Sequence, residues 1–67
     1  MSPTERRIVR FLSQRGTDLI GGYELRDAVT PRADVKVIHV LIHRLRNQGV
    51  PISSVRGPRG GYRLEAS

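Results

Sequence analysis

His39 and His43 are the side chains best spaced for chemistry in this chain. Four residues apart on a stretch of helical periodicity, they share one face and could chelate a metal. The zinc-protease helix also needs a glutamate beside its first histidine, and Val40 occupies that place. The sequence holds no cysteine and suggests no third ligand, so no metal centre is expected. The stretch "RGPRGG" from Arg56 to Gly61 has the glycines of a phosphate-cradling loop. It lacks the lysine–serine pair and the strand–loop–helix setting that such a loop requires. Ser13, Ser53 and Ser54 have only the two helix histidines to call on as a base, and no acid is aligned behind them. Composition therefore points away from an enzyme, with no catalytic residue and no cofactor expected.

Charge carries more information. The formal net charge is +6, and eleven of the twelve basic residues are arginine, the side chain suited to bidentate contacts with phosphate or guanine. Up to Pro31, Arg6, Arg7, Arg10, Arg15 and Arg26 are nearly balanced by Glu5, Asp18, Glu24 and Asp27. From Arg32 to Arg63, Arg32, Lys36, Arg44, Arg46, Arg56, Arg59 and Arg63 face Asp34 alone. A positive half joined to a near-neutral one favours a polyanionic partner, either nucleic acid or an acidic protein surface.

With 67 residues there is room for one domain and one thin core. Nothing approaches a run of about 18 apolar residues, and the charges scattered through "MSPTERRIVRFLSQRG" interrupt any signal-peptide core. A cytoplasmic chain without membrane partners is expected.

The elements that must position these charges are legible from caps and periods. "SPTE" gives Ser2 as N-cap, Pro3 at the first helical position and Glu5 completing a capping box. Ile8, Phe11 and Leu12 form a stripe, and Gly16 ends the helix, which spans about 3–15. "TDLIGG" leaves space for an isolated strand or turn. A second helix, about 22–29, places Tyr23 or Leu25 with Ala28 and Val29 on one face, until Thr30-Pro31 breaks it. Asp34 caps a third, about 35–48, stopped by Gly49. On that helix Ile38, Leu41, Ile42 and Leu45 share the core face, and Lys36, His39, Val40, His43 and Asn47 lie opposite, with Arg44 and Arg46 on the flanks. Such a face fits a major groove, where Val40 would meet a thymine methyl. As a bland alternative, Arg44 and Arg46 could pair with Glu24 or Asp27 at the surface.

"VPISSV" and "GYRLE" read as strands about a glycine-containing loop, a hairpin within about 50–65. Tyr62 and Leu64 would face the core and Arg63 would not. Ile52 and Val55 differ in parity, which predicts a bulge or twist in the first strand. At the loop, Pro58 would stiffen the tip while Arg56 and Arg59 reach for a phosphate backbone or a minor groove. A single copy of "RGPRGG" bracketed by strand formers argues against a disordered RNA-binding tail. The order is α, short β, α, α, hairpin: an α+β fold, the winged helix-turn-helix, over residues 1–67.

The stretches "VIHVLIHRLR" (37–46) and "ISSVRGPRGGYRL" (52–64) resemble the DNA-binding domain of OmpR/PhoB-type response regulators. "NQGVPISSVRGPRGGYRL" is also similar to biotin-repressor-like helix-turn-helix domains. The likeness covers roughly 36–64, with 4–29 matching in pattern only. It implies base-edge or phosphate contacts from Lys36, His39, Val40 and His43, and phosphate or base contacts from Arg44 and Arg46. It further implies a minor-groove or phosphate contact from Arg56, and a hydroxyl near the backbone from Ser54. Pro58-Arg59-Gly60 stands where the family's wing has one residue, so its site sequence and phosphorylation switch are not carried over.

A small double-stranded-DNA-binding protein is thus expected, a transcriptional regulator of a bacterial or phage system, binding as a dimer or in tandem. The alternative is a protein-interaction module whose same basic face meets an acidic partner such as RNA polymerase or another regulator.

Overall fold

Ser2 starts the first helix as its sequence requires. In the computed structural model, which describes residues 1–65, the Ser2 hydroxyl accepts the Glu5 N–H at 3.2 Å. The Glu5 carboxylate takes the Ser2 N–H in return at 3.1 Å, so two backbone donors at the helix end are satisfied together. Helix α1 (Pro3–Gln14) buries Ile8 and Leu12, with Phe11 half-buried beside them. It ends one residue before the expected stop. Arg15 is the C-cap, and Gly16 follows at a φ of 61°.

Helix α2 (Gly22–Val29) packs on Leu25 and Val29. Tyr23 and Ala28, both weighed for the same face, are exposed instead. A helix of two turns has one narrow buried stripe, and an i, i+4 pair fills it. Thr30 leaves the helical region at φ −154°, ψ 71°, because Pro31 excludes the α conformation before it.

Helix α3 (Val35–Asn47) starts at Asp34, whose carboxylate accepts the Lys36 N–H at 2.9 Å. Its buried residues are Ile38, Leu41, Ile42 and Leu45, the stripe that the 100° period selects. The helix closes in a Schellman turn with Gly49 at a φ of 92°. Gly49 N–H reaches the Arg46 carbonyl at 3.0 Å, and Val50 N–H the Leu45 carbonyl at 3.0 Å.

The chain then forms an antiparallel hairpin, β1 (Ile52–Val55) and β2 (Gly61–Leu64). Its register runs unbroken: Ile52 opposite Leu64, Ser53 opposite Arg63, Ser54 opposite Tyr62, Val55 opposite Gly61. The bulge expected from the parity of Ile52 and Val55 is therefore absent. Ile52 enters the core and Val55 stays 47% exposed, so the pleat is kept and an apolar side chain is left outside. Ile20 adds a one-residue third strand, exchanging hydrogen bonds of 2.8 Å with Tyr62 in both directions. Glycine is needed beside that bridge, since a Cβ on Gly61 would meet the Ile20 carbonyl oxygen at 2.5 Å.

Three helices followed by a hairpin make an α+β fold with the layout of a winged helix-turn-helix. A single core draws on every element, including Ile20 and Ile52, with Val50, Tyr62 and Leu64 packed on its edge. The domain expected over 1–67 includes Ala66 and Ser67, which lie outside the described residues.

One tie across this core is electrostatic. Glu5 is 5% exposed, and its carboxylate also accepts the Gln48 amide N–H at 2.6 Å, joining the start of α1 to the end of α3. Hydrogen bonds from the Ser2 backbone, the Ser2 side chain and Gln48 hold the Glu5 carboxyl below its ordinary value of 4.5. The unfolded chain therefore takes up this proton first on acidification. The tie stabilises fully above pH 4.5 and weakens as pH falls through the lower folded value. Melting temperatures between pH 6 and pH 2.5 are expected to decline on the acid side, and the decline should be shallower in Glu5→Gln.

Candidate nucleic-acid interface

Burying one stripe of α3 dictates what its other face presents. Lys36, His39, Val40, His43, Arg44, Arg46 and Asn47 are all exposed. By the helical period, Lys36, Val40, His43 and Asn47 form the outermost row, His39 and Arg46 lean to one side, and Arg44 leans to the other. The contacts show that the first side is the wing. His39 and Tyr62 have ring centroids 6.3 Å apart at 57°, and Arg46 Nε donates to the Ile52 carbonyl at 2.9 Å.

Between helix and wing lies a groove of about 460 Å³. Gly22 and His39 line it from the helices, and Ser54, Arg56 and Tyr62 from the wing. Ser54 shares the parity of the buried Ile52 and lies opposite Tyr62, yet it is exposed. Burial pushes the Tyr62 phenol above its ordinary value, against the opposing pull of Arg46, so it remains a neutral hydroxyl at neutral pH. The wing tip is a turn in which Gly60 N–H reaches the Gly57 carbonyl at 2.9 Å. Pro58 takes the second position of that turn, where its fixed φ suits, and Arg59 the third. Arg56 and Arg59 are exposed.

Apart from Asp18, the acidic side chains are already engaged within the fold. Glu24 pairs with Arg15 at 3.0 Å and Asp27 with Arg26 at 2.7 Å, so neither neutralises Arg44 or Arg46. Glu65 is held by Arg63 at 3.1 Å and by the Ser53 hydroxyl, and Asp34 caps its own helix. Among the described residues, Lys36, Arg44, Arg46, Arg56 and Arg59 have no ion-pair partner. Their charges add on one side, and a polyanion laid across α3 and the wing would meet them with little internal competition.

All ten expected contact residues are thus exposed, but they are not equivalent. Lys36, His43 and Asn47 project freely with Val40, which is 52% exposed amid polar neighbours. His39, Ser54 and Arg56 share the groove. Arg44 stands on the side away from the wing, and Arg46 is partly committed to holding β1. Tyr62 and Gly22 are groove residues that the sequence reading left out. An amphipathic phenol on a core strand is the signal that could have found Tyr62, since its hydroxyl needs a wet end.

The two arginines should separate on substitution. Arg46→Ala loses the bond to Ile52 and is expected to destabilise the fold by about 1 kcal/mol. Arg44→Ala breaks no side-chain bond and should stay within about 0.5 kcal/mol of the parent. Urea titrations followed by circular dichroism measure both.

Among the described residues, no group of three histidine or acidic side chains is placed to hold a metal. None of their helices is long and apolar enough to cross a membrane. Comparison with family models, curated proteins and solved structures finds no match to this chain.

Proposed function

We propose that this protein binds double-stranded DNA and acts as a transcriptional regulator, with α3 in the major groove and the wing on the adjacent minor groove or backbone. The observation that carries the reading is the set of exposed cations on α3 and the wing that have no ion-pair partner among the described residues. Lys36, Arg44, Arg46, Arg56 and Arg59 supply phosphate contacts that fix register. His39, Val40, His43 and Asn47 meet base edges, where amide, imidazole and methyl groups can discriminate. Ser54 and Arg56 hold the backbone between helix and wing.

The resemblance of "VIHVLIHRLR" and "ISSVRGPRGGYRL" to response-regulator DNA-binding domains supports the same docking. It also suggests a bacterial or phage setting and a cytoplasmic site of action. A single small module gives limited contact area, so useful specificity comes from dimeric or tandem binding.

With these five cations on phosphates, log K against log[salt] should have a slope of about −4.5. Fluorescence anisotropy with a labelled generic duplex at several salt concentrations measures it. A flat response would remove DNA as the partner and leave an acidic protein surface for the same face.

A further inference from the structure

A second groove lies between α1 and α2, and none of its lining residues belongs to α3 or the wing. Phe11, Ala28 and Val29 form its floor, and Arg7, Arg10 and Gln14 its rim. Arg7 and Arg10 are exposed and stand one helical turn apart. Among the described residues neither has an ion-pair partner. The carboxylates of the two flanking helices are spoken for: Glu5 caps α1, Glu24 pairs with Arg15, and Asp27 pairs with Arg26. Two like charges at this spacing repel each other, and nothing in the fold relieves them.

We propose that this groove docks an acidic amphipathic helix of a partner protein. Its about 190 Å³ accommodates a large apolar side chain against Phe11 and Ala28. Carboxylates one turn to either side of that anchor would meet Arg7 and Arg10, the helix-in-groove mode of recognition. The shorter wall, α2, has eight residues, which at 1.5 Å per residue gives about 12 Å, so two to three turns of partner helix suffice. A phosphate backbone would gain nothing from the apolar floor. A second copy of this chain is opposed by a net charge of +6 on each molecule. So small an interface is transient, with dissociation constants in the micromolar range or weaker. The proposal does not depend on DNA binding.

The test uses the full chain and a fluorescein-labelled helical peptide of about 15 residues, with leucines along one face and glutamates flanking them. Micromolar binding is expected, with backbone amide shifts centred on Arg7, Arg10, Phe11 and Ala28. The double variant Arg7→Glu/Arg10→Glu should weaken binding at least tenfold. Ala28→Glu, an exposed change that keeps helix propensity, should fill the groove, repel the glutamates of the peptide and do the same while leaving DNA affinity near the parental level. Circular dichroism melts confirm that both variants fold. The proposal is overturned if the peptide shifts only α3 and the wing, or if replacing its leucines by serine leaves affinity unchanged. Failure to bind below about 1 mM would also overturn it. So would concentration-dependent self-association that Ala28→Glu abolishes, which would assign the groove to a second copy.

Discussion

Ile38→Ala is expected to lower the melting temperature by roughly 8–40 °C, the largest stability effect among the α3 substitutions proposed. Ile38 is 0% exposed in the helix's buried stripe. Truncating a fully buried isoleucine costs about 2–5 kcal/mol, from lost transfer energy and from the cavity left behind. A domain of this size has about 3–10 kcal/mol in total, and each kcal/mol shifts the midpoint by about 4–8 °C. Val40→Ala is the matched control, being aliphatic, on the same helix, two residues away and 52% exposed. It should stay within about 0.5 kcal/mol of the parent. The pair reports the rotational setting of α3, and with it the direction in which Lys36, His43 and Asn47 point. If Val40→Ala destabilised and Ile38→Ala did not, the proposed DNA-facing row would be the buried one.

The second large effect falls on binding. Arg56→Ala/Arg59→Ala removes both wing-tip guanidiniums, which are exposed and make no hydrogen bond or ion pair among the described residues. Stability should therefore not change. A hydrogen bond to a charged group contributes about 1.5–3 kcal/mol when desolvated. At the lower end of that range the double variant loses about 3 kcal/mol, or roughly 150-fold in affinity. Its salt slope should fall by about two units, because two fewer counterions are released. Equilibrium binding to one duplex across a salt series measures both. Loss of affinity without a change of slope would mean that these arginines do not contact phosphate.

The parts of this fold that were legible are those that short-range rules determine. Ser2, Pro3 and Glu5 mark a helix start whatever the rest of the chain does. Gly16 and Gly49 end helices because the positive φ they adopt disfavours other residues. The α3 stripe is long enough for its period to be unambiguous. In α2 the period failed for Ala28, since two turns give too few positions to fix a phase. Val55 misled for another reason. An apolar residue out of parity can be accommodated by a bulge or simply left in water, and the unbroken register of β1 and β2 takes the second course.

The candidate site divides in the same way. Exposure of Lys36, His39, Val40 and His43 follows from the helix alone. The commitment of Arg46 to Ile52 and the meeting of His39 with Tyr62 depend on how the wing folds back on α3. The Glu5–Gln48 bond joins residues far apart in sequence, and no local pattern marks it.

The central claim is that α3 and the wing form one DNA-binding surface. The most direct test is a titration of isotope-labelled protein with a generic duplex, following each backbone amide by NMR. Shifts concentrated at 36–47 and 56–59, with Tyr62 and Gly22 at their margin, are the predicted result. Shifts confined to α1, or none at all with the fold intact, would contradict it.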